Sequence, residues 1–221
     1  MSIKSNLQHI KATIPANVKL VCVSKFHSSE NILEAYAAGE RIFGESRVQE
    51  LVKKHESLPQ DIQWHFIGHL QTNKVKFIVP FVNLIHAVDS EKLLVEINKE
   101  AAKIGKTVNC LLEVHIAQEA DKYGFSPAAL MEFLFAGQWA AMRNVRICGL
   151  MGIATFTDDM TQIRHEMQLL KQIFDRAHTD FFDGNDRFTE LSMGMSDDYP
   201  IAIEEGTTIV RIGTSIFGTR N

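Results

Sequence analysis

Cysteine is scarce: Cys22, Cys110 and Cys148 are the only three in 221 residues. Each falls inside a separate apolar run, with none of the close pairing of a metal site. They read as buried free thiols in a reducing compartment. An excess of one charge is also lacking, since 23 Lys and Arg stand against 27 Asp and Glu, interspersed, for a net charge of −4. That leaves no electrostatic footprint for nucleic acid or anionic lipid. No apolar run is long enough to span a bilayer, and the opening MSIKSNLQHIKATIP has no unbroken apolar core of a signal peptide. No linker, low-complexity tract, repeat or change of composition divides residues 1–221. These absences predict a cytoplasmic, single-domain protein with no nucleic-acid or membrane partner. No helix face beyond that of 158–182 advertises a dimer, so a monomer is expected.

What is present is a strict alternation of two patterns. Apolar β-type runs occur at Val18–Lys25, Arg41–Phe43, Ile62–Gly68, Val82–Val88, Val108–Ile116, Val145–Ile153, Phe188–Met193 and Thr207–Ile212. Helical patterns fill the gaps, at Ser29–Ala38, Glu45–Ser57, Gln71–Val79, Ser90–Ile104, Ser126–Met142 and Asp158–Phe182. The last packs an Ile163, Met167, Leu170 and Phe174 stripe inward. A further short helix, from an N-cap at Ser196 to Gly206, separates the final two strands. A first helix over roughly Asn6–Thr13 precedes them all. Eight β–α rounds predict an α/β fold: a single-domain (β/α)8 TIM barrel with an extra N-terminal helix.

Strands of a parallel barrel are buried on both faces, so polar residues inside them are informative. Lys25 ends the first strand. The period of two puts Gln63 with His65, Glu113 with His115, and Glu190 with Ser192; Arg211 interrupts the eighth strand. Buried charges are costly unless paired, so these residues require partners, Glu113 with Arg211 or Lys25 for example, or a ligand. The loops Gly194-Met195-Ser196 and Gly213-Thr214-Ser215 follow strands seven and eight, the usual phosphate site of such barrels. Their amides and hydroxyls form an anion cradle. Lys25 lies at the same rim, where burial and a cationic neighbour such as Arg211 favour the neutral, nucleophilic amine. A nucleophilic lysine beside a phosphate cradle suggests a Schiff base with a phosphorylated carbonyl compound, either pyridoxal phosphate or a sugar phosphate.

Motifs along the whole chain narrow this choice. They are VSK ending in Lys25, FGESRVQE (43–50), WHFIGHLQTNK (64–74), Lys122-x-Gly124, GLMGI (149–153), LSMGMSDD (191–198) and VRIGTSIFG (210–218). In order and spacing the chain resembles the pyridoxal phosphate homeostasis proteins, which share the fold of the alanine racemase N-terminal domain. The resemblance implies that Lys25 holds pyridoxal 5'-phosphate covalently, as an internal aldimine. It implies that Ser192, Gly194, Met195 and Ser196, with Gly213 and Thr214, hold the phosphate, and that Arg211 faces the pyridine nitrogen. His65 and Ser46 complete the expected cofactor-binding set. Where the family usually reads FGENYVQE, this chain has Ser46 and Arg47, so the amide contact at that point is lost or water-mediated. No residue is expected to be catalytic and none to bind metal.

An arginine only donates, so at the ring nitrogen it weakens the pyridine as an electron sink. Alanine racemases add a tyrosine from a second, β-domain, for which this chain shows no segment before Asn221. Its own tyrosines, Tyr36, Tyr123 and Tyr199, have no evident claim to that role. The expected function is a non-enzymatic carrier that buffers or delivers pyridoxal phosphate, with apo-enzymes that use it as candidate recipients. A racemase-like enzyme is the alternative, and a Schiff-base aldolase a more remote one.

Overall fold

The computed structural model describes residues 2–119 and 122–218. Eight parallel strands close into a barrel in sequence order: β1 (Lys19–Val23), β2 (Ile42–Glu45), β3 (Gln63–Phe66), β4 (Leu84–Val88), β5 (Val108–Val114), β6 (Val145–Gly152), β7 (Glu190–Ser192) and β8 (Ile209–Ile212). Four residues of β1, Lys19 to Cys22, pair with Ile209 to Ile212 of β8 and seal the cylinder. The predicted α/β barrel is therefore the observed fold. No helix among the described residues is long and apolar enough to cross a membrane.

The helices are α1 (Ile3–Thr13), α2 (Ser29–Ala37), α3 (Val48–Ser57), α4 (Val75–Ile78), α5 (Glu91–Lys103), α6 (Pro127–Ala136), α7 (Met160–Phe181), α8 (Tyr199–Glu204) and α9 (Thr214–Phe217). The extra N-terminal helix begins earlier than expected because the Ser2 side chain caps it. Ser28, Ser90 and Ser126 cap α2, α5 and α6 in the same way. The predicted Ser126–Met142 helix stops at Gly137, whose left-handed φ of 72° ends α6. Instead of beginning a helix, Glu45 belongs to β2, where it is in register with Phe66 of β3. α8 starts at Tyr199 rather than after Ser196, and Thr214 and Ser215 open the one-turn α9 where a loop was predicted.

Two apolar regions follow from the two faces of the strands. The larger lies between sheet and helices and includes Phe43, Trp64, Phe66, Leu94, Leu170 and Phe188. Ile163, Met167 and Leu170 of α7 are buried in it, while Phe174 packs at its edge and stacks on Phe188. The smaller fills the lumen with Val21, Leu84, Ala87, Leu111, Cys148, Met151 and Ile209. The three cysteines are free and buried.

Candidate functional site

β1 delivers its chain to the C-terminal rim through a braced turn. Phe26, next to half-buried Lys25, has a φ of 68°, a left-handed value uncommon for a bulky side chain. Its N–H donates to Glu50 Oε1 at 2.7 Å, and the Arg47 guanidinium lies 4.6 Å from the centre of its ring. Beneath it the buried ammonium of Lys54 donates to the Ser24 carbonyl (2.8 Å), Glu45 Oε1 (2.7 Å) and Glu50 Oε1 (2.6 Å). Ser24 Oγ also donates to Glu45 Oε1, at 2.6 Å. Burial raises the Glu45 pKa, with Lys54 as the main opposing influence. β2 and α3 thus hold the turn that carries Lys25.

The loops after β7 and β8 are tied to one another. Gly194, with φ of 92°, lies so close to α8 that a Cβ there would be 2.6 Å from the Ala202 Cβ. The Gly194 carbonyl accepts from the Arg211 N–H at 2.9 Å. Ser196 does not cap a helix; its Oγ accepts from the Gly213 N–H at 3.3 Å. Asp198 precedes α8, and its carboxylate accepts from the Met195 N–H instead of capping. The backbone N–H groups of Ser196, Asp197, Thr214 and Ser215 have no acceptor among the described residues.

Lys25, Met195, Ser196, Arg211, Gly213 and Thr214 line one cleft at this rim, with Val23, Ile67 and Ile153 as apolar wall. Six of the ten predicted binding residues are therefore brought together. Ser192 lies buried below, where its Oγ accepts from Arg211 Nη1 at 2.6 Å. Gly194 shapes the loop from behind. Ser46 lines a neighbouring hollow with Arg47, Gln71 and Lys74. His65 does not reach the cleft: it opens onto a cavity shared with Lys19, Gln63, Asn109 and Glu190, at the N-terminal mouth of the barrel. Glu190 likewise belongs to that mouth, where it pairs with Lys19.

Arg211, one of the partners considered for Glu113, is engaged instead by Ser192 and the Gly152 carbonyl. Its second nitrogen donates to the Gly152 carbonyl at 3.0 Å. Burial lowers its pKa to about 10, with Asp198 and then Glu113 opposing, so it keeps its charge at neutral pH. Glu113 faces a side chamber that shares Ile67 and Ile153 with the cleft and is also lined by His69, His115, Lys122 and Tyr123. Burial, reinforced by Asp89 and offset by Arg211, pushes its carboxyl up to about 7. Tyr123 stacks on His69 with centroids 3.8 Å apart, and His69 Nδ1 lies 2.7 Å from Asp89 Oδ2. The other tyrosines are engaged elsewhere, Tyr36 with Asp61 and Tyr199 with Thr13. Among the described residues no group of three or more His, Cys, Asp or Glu side chains is placed to hold a metal ion.

Sequence reasoning missed Glu45, Glu50 and Lys54. Glu50 and Lys54 have the spacing of an ordinary exposed helical ion pair, which conceals their inward role. The usable signal was the pair of glutamates in FGESRVQE, immediately after an apolar run.

The model of the family described as alanine racemase, N-terminal domain, matches residues 1–221. A pyridoxal phosphate homeostasis protein of Aquifex aeolicus is 42% identical over 203 residues, which span 91% of this chain and 87% of that one. One of Schizosaccharomyces pombe is 38% identical over 207 residues, 92% and 85% of the two chains. PipY of Synechococcus elongatus PCC7942, solved with PLP bound, superposes with a TM-score of 0.89 at 36% identity, over 98% of this chain and 100% of that one. An alanine racemase of Clostridium difficile 630 shares the fold at 13% identity and a TM-score of 0.76, over 97% of this chain and 55% of that one. Alike to these relatives over nearly its whole length, and matched throughout by the family model, the chain belongs to the pyridoxal phosphate homeostasis proteins of the alanine racemase N-terminal domain family.

Proposed function

We propose that the protein holds pyridoxal 5'-phosphate reversibly in this cleft and buffers or delivers it in the cytoplasm, as a monomer and without robust catalysis. The observation that carries the reading is the convergence of Lys25, Arg211 and the open amides of two loops on one cavity. The donor set suits the group. The amides of Ser196, Asp197, Thr214 and Ser215, without an acceptor among the described residues, suit a phosphate. Val23, Ile67 and Ile153 provide an apolar wall for a flat ring. Arg211 offers only donors to a ring nitrogen. The cofactor supplies an aldehyde that bonds a primary amine, and Lys25 is the amine of this cleft. Apo-enzymes that require the cofactor are the candidate recipients.

The test is titration with pyridoxal phosphate, borohydride reduction and peptide mapping. Label is expected on Lys25, and Lys25→Ala is expected to lose both the label and the visible absorbance of the covalent complex while remaining folded. Label of equal yield elsewhere in that variant would overturn the assignment.

A second reading, a racemase-like enzyme, is favoured by the side chamber, where Glu113 and Tyr123 stand beside the cleft. Loss of an amino acid's α-hydrogen to deuterated solvent, at enzymatic rates of about 1 s⁻¹ or more, would establish it in place of the carrier. Exchange no faster than with free cofactor is expected.

A further inference from the structure

Four inward-facing side chains from four strands form one hydrogen-bonded line across the barrel. His65 Nδ1 on β3 lies 3.0 Å from His86 Nε2 on β4. His86 Nδ1 lies 3.0 Å from Ser192 Oγ on β7. Ser192 Oγ accepts from Arg211 Nη1 of β8 at 2.6 Å, and all four residues are buried.

The direction of each bond follows from the arginine end. A guanidinium has donors only, so Ser192 Oγ is the acceptor there. The hydrogen of that hydroxyl goes to its other partner among the described residues, His86 Nδ1; directed elsewhere, it would be buried without an acceptor. A His86 that accepts at Nδ1 carries its hydrogen on Nε2 and donates it to His65 Nδ1. His65 is then also the Nε2–H tautomer, its Nε2 directed away from the line. Both rings are neutral in this scheme. Burial agrees, holding His65 down to about 3 and His86 well below its ordinary value, with the Arg211 charge adding to the effect on His86. While Arg211 stays charged, the line runs one way.

We propose that His86, oriented in turn by His65, is a positioning residue that fixes the Arg211 guanidinium in the cleft through the Ser192 hydroxyl. The Gly152 carbonyl holds the second nitrogen, so the two anchors together set the plane of the guanidinium. With no acceptor at His86, the Ser192 hydroxyl is free to rotate and Arg211 loses a defined anchor. The significance for a bound ring rests on the cofactor reading above; the line itself does not.

The test uses ¹⁵N-labelled protein without added ligand, in which long-range ¹H–¹⁵N correlations report histidine tautomers. Both His65 and His86 are expected to be neutral Nε2–H forms at neutral pH. An Nδ1–H or charged ring at either position overturns the proposal. Exchange of the Arg211 Nη hydrogens provides the second readout. In His86→Leu it should quicken about tenfold or more, the weight of one hydrogen bond to a charged group. In His86→Asn, whose Oδ1 can accept in place of Nδ1, it should stay near the unmodified rate. A folded His86→Leu protein with unchanged exchange would show that Ser192 alone holds the arginine. If that variant does not fold, the tautomers of the unmodified protein still decide. A protein with these tautomers that fails to bind pyridoxal phosphate would remove the cofactor reading and leave the line in place.

Discussion

Glu113 keeps a carboxyl inside the barrel whose Oε2 is buried and has no hydrogen-bond partner among the described residues. An ionised carboxylate so placed is costly, and the group responds by holding its proton. Its pKa rises from 4.5 to about 7, through burial first and Asp89 second, with Arg211 opposing. Between these values the folded protein retains a proton that the unfolded chain has released. The stabilisation is complete below 4.5 and is lost as pH rises through about 7. Gln has nearly the same shape and cannot ionise. Glu113→Gln is therefore expected to change stability little at about pH 4 and to raise it by about 3 kcal/mol at about pH 8. Urea unfolding at the two pH values checks this, and a difference independent of pH would mean the carboxyl is ionised throughout. A group half-protonated near neutrality is also suited to exchange protons with whatever enters the side chamber.

The turn after β1 shows how neighbouring elements share one task. β2 supplies Glu45, α3 supplies Glu50 and Lys54, and the ammonium ties both carboxylates to the Ser24 carbonyl. Lys54→Met would leave Glu45 buried and unneutralised, and breaking such a pair costs about 3–5 kcal/mol. A fall of this size in unfolding free energy is expected, together with slower covalent labelling of Lys25 in the folded variant. A loss below about 1 kcal/mol, as at exposed pairs, would show that the cluster is solvated. Periodicity made the eight strands and the main helices legible, because a strand buried on both faces and an amphipathic helix repeat differently. It failed at boundaries decided by particular side chains, such as Glu45 at the end of β2, Gly137 after α6 and Ser196 before α8. Lys25 and Arg211 were legible as charges inside apolar runs. His65 was legible as inward-facing, but not its height in the barrel. That height depends on pairing with Gly44 of β2 and Leu84 of β4, a long-range register absent from local pattern.

Across the whole molecule the barrel has two ends with different work. The rim at the strand C-termini presents Lys25, Arg211 and the open loops; the other mouth carries pairs such as Lys19 with Glu190. Between them the lumen combines an apolar plug with the polar line from His65 to Arg211. Placing two neutral histidines there has a consequence for the stability of the entire fold. Both have pKa values lowered by burial from 6.5, His65 to about 3. Below 6.5 the unfolded chain therefore binds two protons that the folded protein refuses, and stability falls as pH falls. Glu113 and Glu45, both raised by burial, act in the opposite sense, while His55, lowered by burial, acts in the same sense as the two lumen histidines. The buried histidines therefore set a decline in stability as pH falls from about 6 to about 5. Unfolding free energies measured along that interval should decline, and decline more steeply in Glu113→Gln, where one opposing proton is gone. A flat profile in both proteins would mean that the histidines are already charged, or in contact with water, in the folded barrel.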